Sequence, residues 1–94
     1  MRLTALEANI IKQSVLKHAP DAEVYLFGSR VDDTALGGDI DVLAITKYHS
    51  LKTKLKIKRE FFKRLEDQKI DLILAPDKQA SSFVRLAVQE AQAL

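Results

Sequence analysis

Apolar residues at Leu6, Ile10, Ile11, Val15 and Leu16 recur at near-helical spacing until Pro20 intervenes, and Thr4 and Glu7 have the spacing of a capping box. The pattern predicts a first helix over residues 5–18. Residues 23–27, Glu-Val-Tyr-Leu-Phe, are short, β-branched and aromatic and run into Gly28, which predicts a buried strand. Polar residues and the Gly37-Gly38 pair predict a short helical turn and then a loop over 30–38. Alternation returns over 39–45 as a second strand, with Ile40, Val42 and Ala44 on one face and Asp39, Asp41, Leu43 and Ile45 on the other. Ser50 can cap a long amphipathic helix whose apolar stripe is expected to be Leu51, Leu55, Phe62 and Leu65. A third strand follows over 70–74, closed by Ala75-Pro76-Asp77. A last helix is expected over 82–94, with Phe83, Leu86, Ala87, Ala91 and Leu94 along its repeat. The order helix, strand, turn, strand, helix, strand, helix is an α/β (α+β) arrangement: a small mixed sheet of three or four strands covered by helices.

Length and composition narrow this picture. Ninety-four residues suit one domain spanning residues 1–94, with little margin for a second lobe. With 47% hydrophobic and 30% charged residues the chain reads as soluble and globular, and the absence of Cys excludes disulfide and thiolate chemistry. Neither a signal peptide nor a membrane span is visible, so a cytoplasmic location is expected. The net charge of +2 is uneven: residues 52–69 carry eight bases against three acids, which leaves the remainder acidic. Such a block suits a solvated helix face, and also contact with nucleic acid or an acidic partner.

Three acids interrupt apolar strands: Asp39, Asp41 and Asp71. Burying an ionised carboxylate without a partner costs several kcal/mol, so each demands a reason. Asp39 and Asp41, two apart on a strand, share a face with Cα atoms roughly 6.5–7 Å apart and repel unless a cation lies between them. An all-oxygen set with no His nearby in sequence favours Mg²⁺ or Mn²⁺ over Zn²⁺, and such sites complete their shell with water and substrate phosphates, which points to a nucleoside triphosphate. Gly28-Ser29, at the end of the first strand, suits a phosphate-binding turn. Arg30 can neutralise triphosphate charge or pair with Asp32 or Asp33. Those two acids are read as loop residues, and His18 and His49, at element ends, as solvated.

Gly28-Ser29, the apolar-flanked Asp39-Ile40-Asp41 and Asp71 within Lys69-Ile70-Asp71-Leu72-Ile73-Leu74 together resemble the signature of the polymerase-beta-like nucleotidyltransferase superfamily. In length and order the chain is similar to the minimal nucleotidyltransferases, or MNT proteins, the antitoxins of HEPN/MNT toxin–antitoxin pairs. The resemblance implies that Gly28, Ser29 and Arg30 bind the triphosphate, that Asp39, Asp41 and Asp71 are the catalytic metal ligands, and that two Mg²⁺ ions act with ATP as substrate. It further implies transfer of AMP to a hydroxyl, a tyrosine, of a partner HEPN toxin. A non-catalytic antitoxin that works by complex formation, and an RNA or DNA nucleotidyltransferase guided by the basic helix, are the alternatives.

Overall fold

Helix α1 (Ala5–His18) is followed by strands β1 (Glu23–Phe27) and β2 (Ile40–Ile45), helix α2 (Leu51–Arg64), strand β3 (Ile70–Ala75), helix α3 (Ser82–Glu90) and a two-residue strand β4 (Gln92–Ala93). These elements come from a computed structural model that describes residues 5–27, 40–65 and 69–94. The sheet order is β3-β2-β1-β4. β1 runs antiparallel to both β2 and β4, whereas β2 and β3 are parallel and joined by the α2 crossover that parallel neighbours require. The fold class is the expected one, with four strands.

Strand alternation sorts side chains onto two faces. On one, Val24, Leu26, Ile40, Val42, Ala44, Ile70 and Leu72 pack with Ile11 and Val15 of α1 and Ile57 and Phe61 of α2 in a single buried cluster. On the other, Leu43 and Ala75 pack beneath Val84 and Ala87 of α3, with Tyr25, Phe27, Ile45, Ile73 and Val88 around them. Glu60 ties the two helices of the first face together. Only 7% exposed, it accepts a hydrogen bond from Lys17 of α1 at 3.0 Å and lies 3.8 Å from Arg64. The Lys17 ammonium holds the Glu60 carboxyl below the ordinary glutamate range, opposed by burial and aided by Lys63 and Arg64.

Several expectations are corrected here. The stripe Leu51, Leu55 and Phe62 does not face the sheet: these residues are 69%, 54% and 70% exposed, and α2 instead buries Ile57, Glu60 and Phe61. Both rows have helical spacing, and the paired, buried Glu60 disguised the inward one. Ser50 does cap α2, accepting from the Thr53 amide at 3.2 Å. The last helix stops at Glu90 rather than running to Leu94. Ala91 is extended, Gln92 and Ala93 pair with Leu26 and Tyr25 of β1, and the Leu94 amide donates to the Val24 carbonyl at 2.9 Å. The free edge of β1 offers backbone partners that a further helical turn could not use. His18 is not solvated: its side chain is 21% exposed, with Nε2 buried 3.8 Å from Glu60. Thr4, the turn and loop over 30–38 with Asp32, Asp33, Gly37 and Gly38, and the first residue of the expected second strand lie outside the described residues.

Candidate active site

The register of the sheet brings together two of the three acids. Asp41 is the second residue of β2 and Asp71 the second of β3, and they are direct Cα partners across the parallel ladder. Being in register, they project from the same face about 4.8 Å apart in strand spacing. It is the α3 face: Asp41 alternates with Leu43, and Asp71 with Ile73 and Ala75, all packed towards α3. Asp41 is half-buried and Asp71 exposed. Like charges directly opposite each other oppose strand pairing, a repulsion that a cation shared between them would relieve.

On the other side of Asp41, its antiparallel partner is Phe27, the last residue of β1. Asp71, Asp41 and Phe27 therefore form one row across three strands on one face of the sheet. Phe83, from the first turn of α3, sets its ring edge-on to Phe27, with centroids 5.9 Å apart at 76°. This gives the acids an apolar wall. The sequence reading assigned Phe83 to a helix stripe and Phe27 to a strand end; their meeting depends on how α3 crosses β1, and no local pattern encodes that crossing.

Below Asp71 opens a groove of about 240 Å³ whose described lining is Lys58, Phe61, Phe62, Lys69, Ile70 and Asp71. A wider, open depression of about 650 Å³ lies between Glu23, Ile45 and the Pro76–Gln79 turn, at the opposite ends of β2 and β3. Four residues of strand separate it from the acids, roughly 13 Å. Its groups serve the fold. Glu23 accepts from the Tyr25 hydroxyl at 2.8 Å and pairs with Lys78 at 3.2 Å. Nearby, Asp21 accepts from the buried Thr46 hydroxyl at 2.5 Å and from the Lys47 amide at 2.9 Å.

Of the expected site residues, Asp41 and Asp71 are thus brought together, while Gly28, Ser29, Arg30 and Asp39 lie outside the described residues. The described chain meets that segment at Phe27, which lies in the acid row, and at Ile40, the neighbour of Asp41 in β2. Among the described residues no group of three His, Cys, Asp or Glu forms a metal site. The donor set that is described, two adjacent carboxylates on one face, fits a hard divalent cation.

A family model described as the nucleotidyltransferase domain matches residues 8–94. Among solved structures, a chain described as a nucleotidyltransferase is 27% identical and superimposes with a TM-score of 0.69, covering 96% of this chain and 99% of its own. A chain from the complex of tri-AMPylated Shewanella oneidensis HEPN toxin with MNT antitoxin is 21% identical, with a TM-score of 0.68, covering 94% of this chain and 68% of its own. A chain of an MntA–HpeT toxin–antitoxin complex is likewise 21% identical, with a TM-score of 0.68, covering 93% of this chain and 69% of its own. At that identity these two share the fold. No curated protein matches the chain. Since the matched family model takes in every described strand and the acid row they carry, the chain belongs to the nucleotidyltransferase domain family.

Proposed function

We propose that this chain, as one minimal catalytic domain over residues 1–94, is a Mg²⁺-dependent nucleotidyltransferase that moves AMP from ATP to a hydroxyl, a tyrosine, of a HEPN-type toxin and so acts as its antitoxin in the cytoplasm. The observation that carries this reading is the in-register pair of Asp41 and Asp71 at one end of the α3 face of the sheet. Its likeness in fold to chains from two toxin–antitoxin complexes, one of them holding a tri-AMPylated HEPN toxin, supports the choice of partner. Among the described residues no helix is long and apolar enough to cross a membrane.

Asp39, Asp41 and Asp71 would hold the metal, which when bound neutralises triphosphate charge and activates the reacting oxygens. Gly28 lets the backbone approach the phosphates, Ser29 donates its hydroxyl and amide to a phosphate oxygen, and Arg30 offsets their charge. Asp71, exposed at the mouth of the groove, orients the acceptor hydroxyl and takes its proton. The hydroxyl oxygen bonds to the α-phosphorus as the bond to the leaving pyrophosphate breaks, so the acceptor gains AMP.

With labelled ATP, Mg²⁺ and the HEPN protein encoded beside it, the chain is expected to label that protein. Asp41→Asn and Asp71→Asn should each cut the rate at least about a hundredfold, equivalent to about 2.7 kcal/mol. Undiminished labelling by both variants would sink the mechanism.

A further inference from the structure

Helix α2 carries seven bases and one acid, and that acid, Glu60, is turned inward. Two parallel rows run along the outer surface that remains. Leu51, Leu55, Lys58 and Phe62 stand at i, i+4, i+7 and i+11 and so line up on one side; Lys52, Lys56, Arg59 and Lys63 repeat the same spacing one residue on. All eight side chains are exposed. An exposed Leu needs no explanation alone, but three large apolar side chains in one row, with Lys58 among them, beside a row of four cations form a surface that is apolar along one side and charged along the other. The row ends in the site, because Lys58 and Phe62 line the same groove as Asp71.

We propose that the outer surface of α2 is the docking surface for the acceptor protein, and that its occupant is an acidic amphipathic segment bearing the acceptor tyrosine. The proposal rests on the reading that the acceptor is a protein. Apolar side chains of the segment cover Leu51, Leu55 and Phe62, its carboxylates meet Lys52, Lys56, Arg59 and Lys63, and the tyrosine enters the groove towards Asp71. Charge complementarity selects this occupant. A second copy of the chain presenting the same surface would set four cations against four, and RNA would cover the cations but leave the leucines without apolar partners.

The test measures binding to the full-length chain by fluorescence anisotropy and needs no catalysis, so failed transfer and failed docking are separate results. The probes are a labelled copolymer of glutamate and tyrosine, polyglutamate, and an oligouridine RNA. The copolymer should bind about tenfold more tightly than polyglutamate, and Leu55→Glu and Phe62→Glu should each weaken it about tenfold, while Leu86→Glu on the exposed side of α3 leaves it unchanged. Circular dichroism of each variant guards against loss of fold. Absence of copolymer binding, equal binding by folded α2 variants, or preference for the RNA would each overturn the proposal.

Discussion

The two faces of the sheet are made from the same strands and do opposite things. The α1/α2 face is closed: seven strand residues there are at most 8% exposed, and its one conspicuous charge, Glu60, is neutralised by Lys17 across the helix pair. The α3 face is closed only in its middle, where Val84 and Ala87 cover Leu43 and Ala75, and at one end it carries two adjacent carboxylates. Alternation along β2 and β3 lets one segment serve both, since each step along the strand moves the side chain from one face to the other. Stability is thereby concentrated on one face, and the paired carboxylates lie on the other.

Substitutions that act on one face at a time can break this division. The largest effect is expected from Leu26→Ala, which empties a fully buried position on the closed face. It should cost about 2–5 kcal/mol in urea unfolding, with transfer activity falling only as the folded fraction falls. A specific loss of activity in the folded variant would show that the closed face also shapes the site. Asp71→Asn is the converse experiment. Removing one of two facing charges in metal-free protein should leave the unfolding free energy unchanged or raise it by up to about 1 kcal/mol, even as transfer is lost. A lower melting temperature would make the acid pair a structural element instead.

The smallest effect is the pH dependence. Asp21, Glu23 and Glu60 are all held below their ordinary values, chiefly by hydrogen bonds from the Lys47 amide, the Tyr25 hydroxyl and the Lys17 ammonium respectively. Their contribution is complete above the unfolded carboxylate values of about 3.9–4.3 and is lost as pH falls through the lower folded ones. Lys78 is raised, first by Tyr25 and then by Glu23, so its contribution is complete below about 10.4 and disappears on further alkalinisation. Melting temperature against pH should show a plateau with modest losses at both ends. Glu60→Gln should flatten the acid limb more than Glu23→Gln does, since Glu60 is the more enclosed partner.

The first three strands and the first helix were legible because their periodicities are strong and their ends are marked by Pro20, Gly28 and Pro76. Asp41 and Asp71 drew notice for a different reason: an acid within an apolar strand contradicts its surroundings, and the register sets these two side by side. What escaped needed knowledge of neighbours. Nothing local distinguishes the inward row Ile57, Glu60 and Phe61 from the outward row Leu51, Leu55 and Phe62, because the choice depends on packing against α1 and the sheet. Nor does 91–94 carry a stop signal; its departure from the helix is set by the open edge of β1. Gly28, Ser29, Arg30 and Asp39 rest on sequence pattern alone.

The in-register pairing of β2 with β3 also limits how this protein can vary. Side chains on β3 change face at every residue, so losing one position ahead of Asp71 would move the carboxylate into the space now filled by Ile70 and set Leu72 opposite Asp41, while gaining one would move it into the space of Leu72 and set Ile70 there. Length variation near this strand must therefore be absorbed by the connections around it, so that its phase is kept.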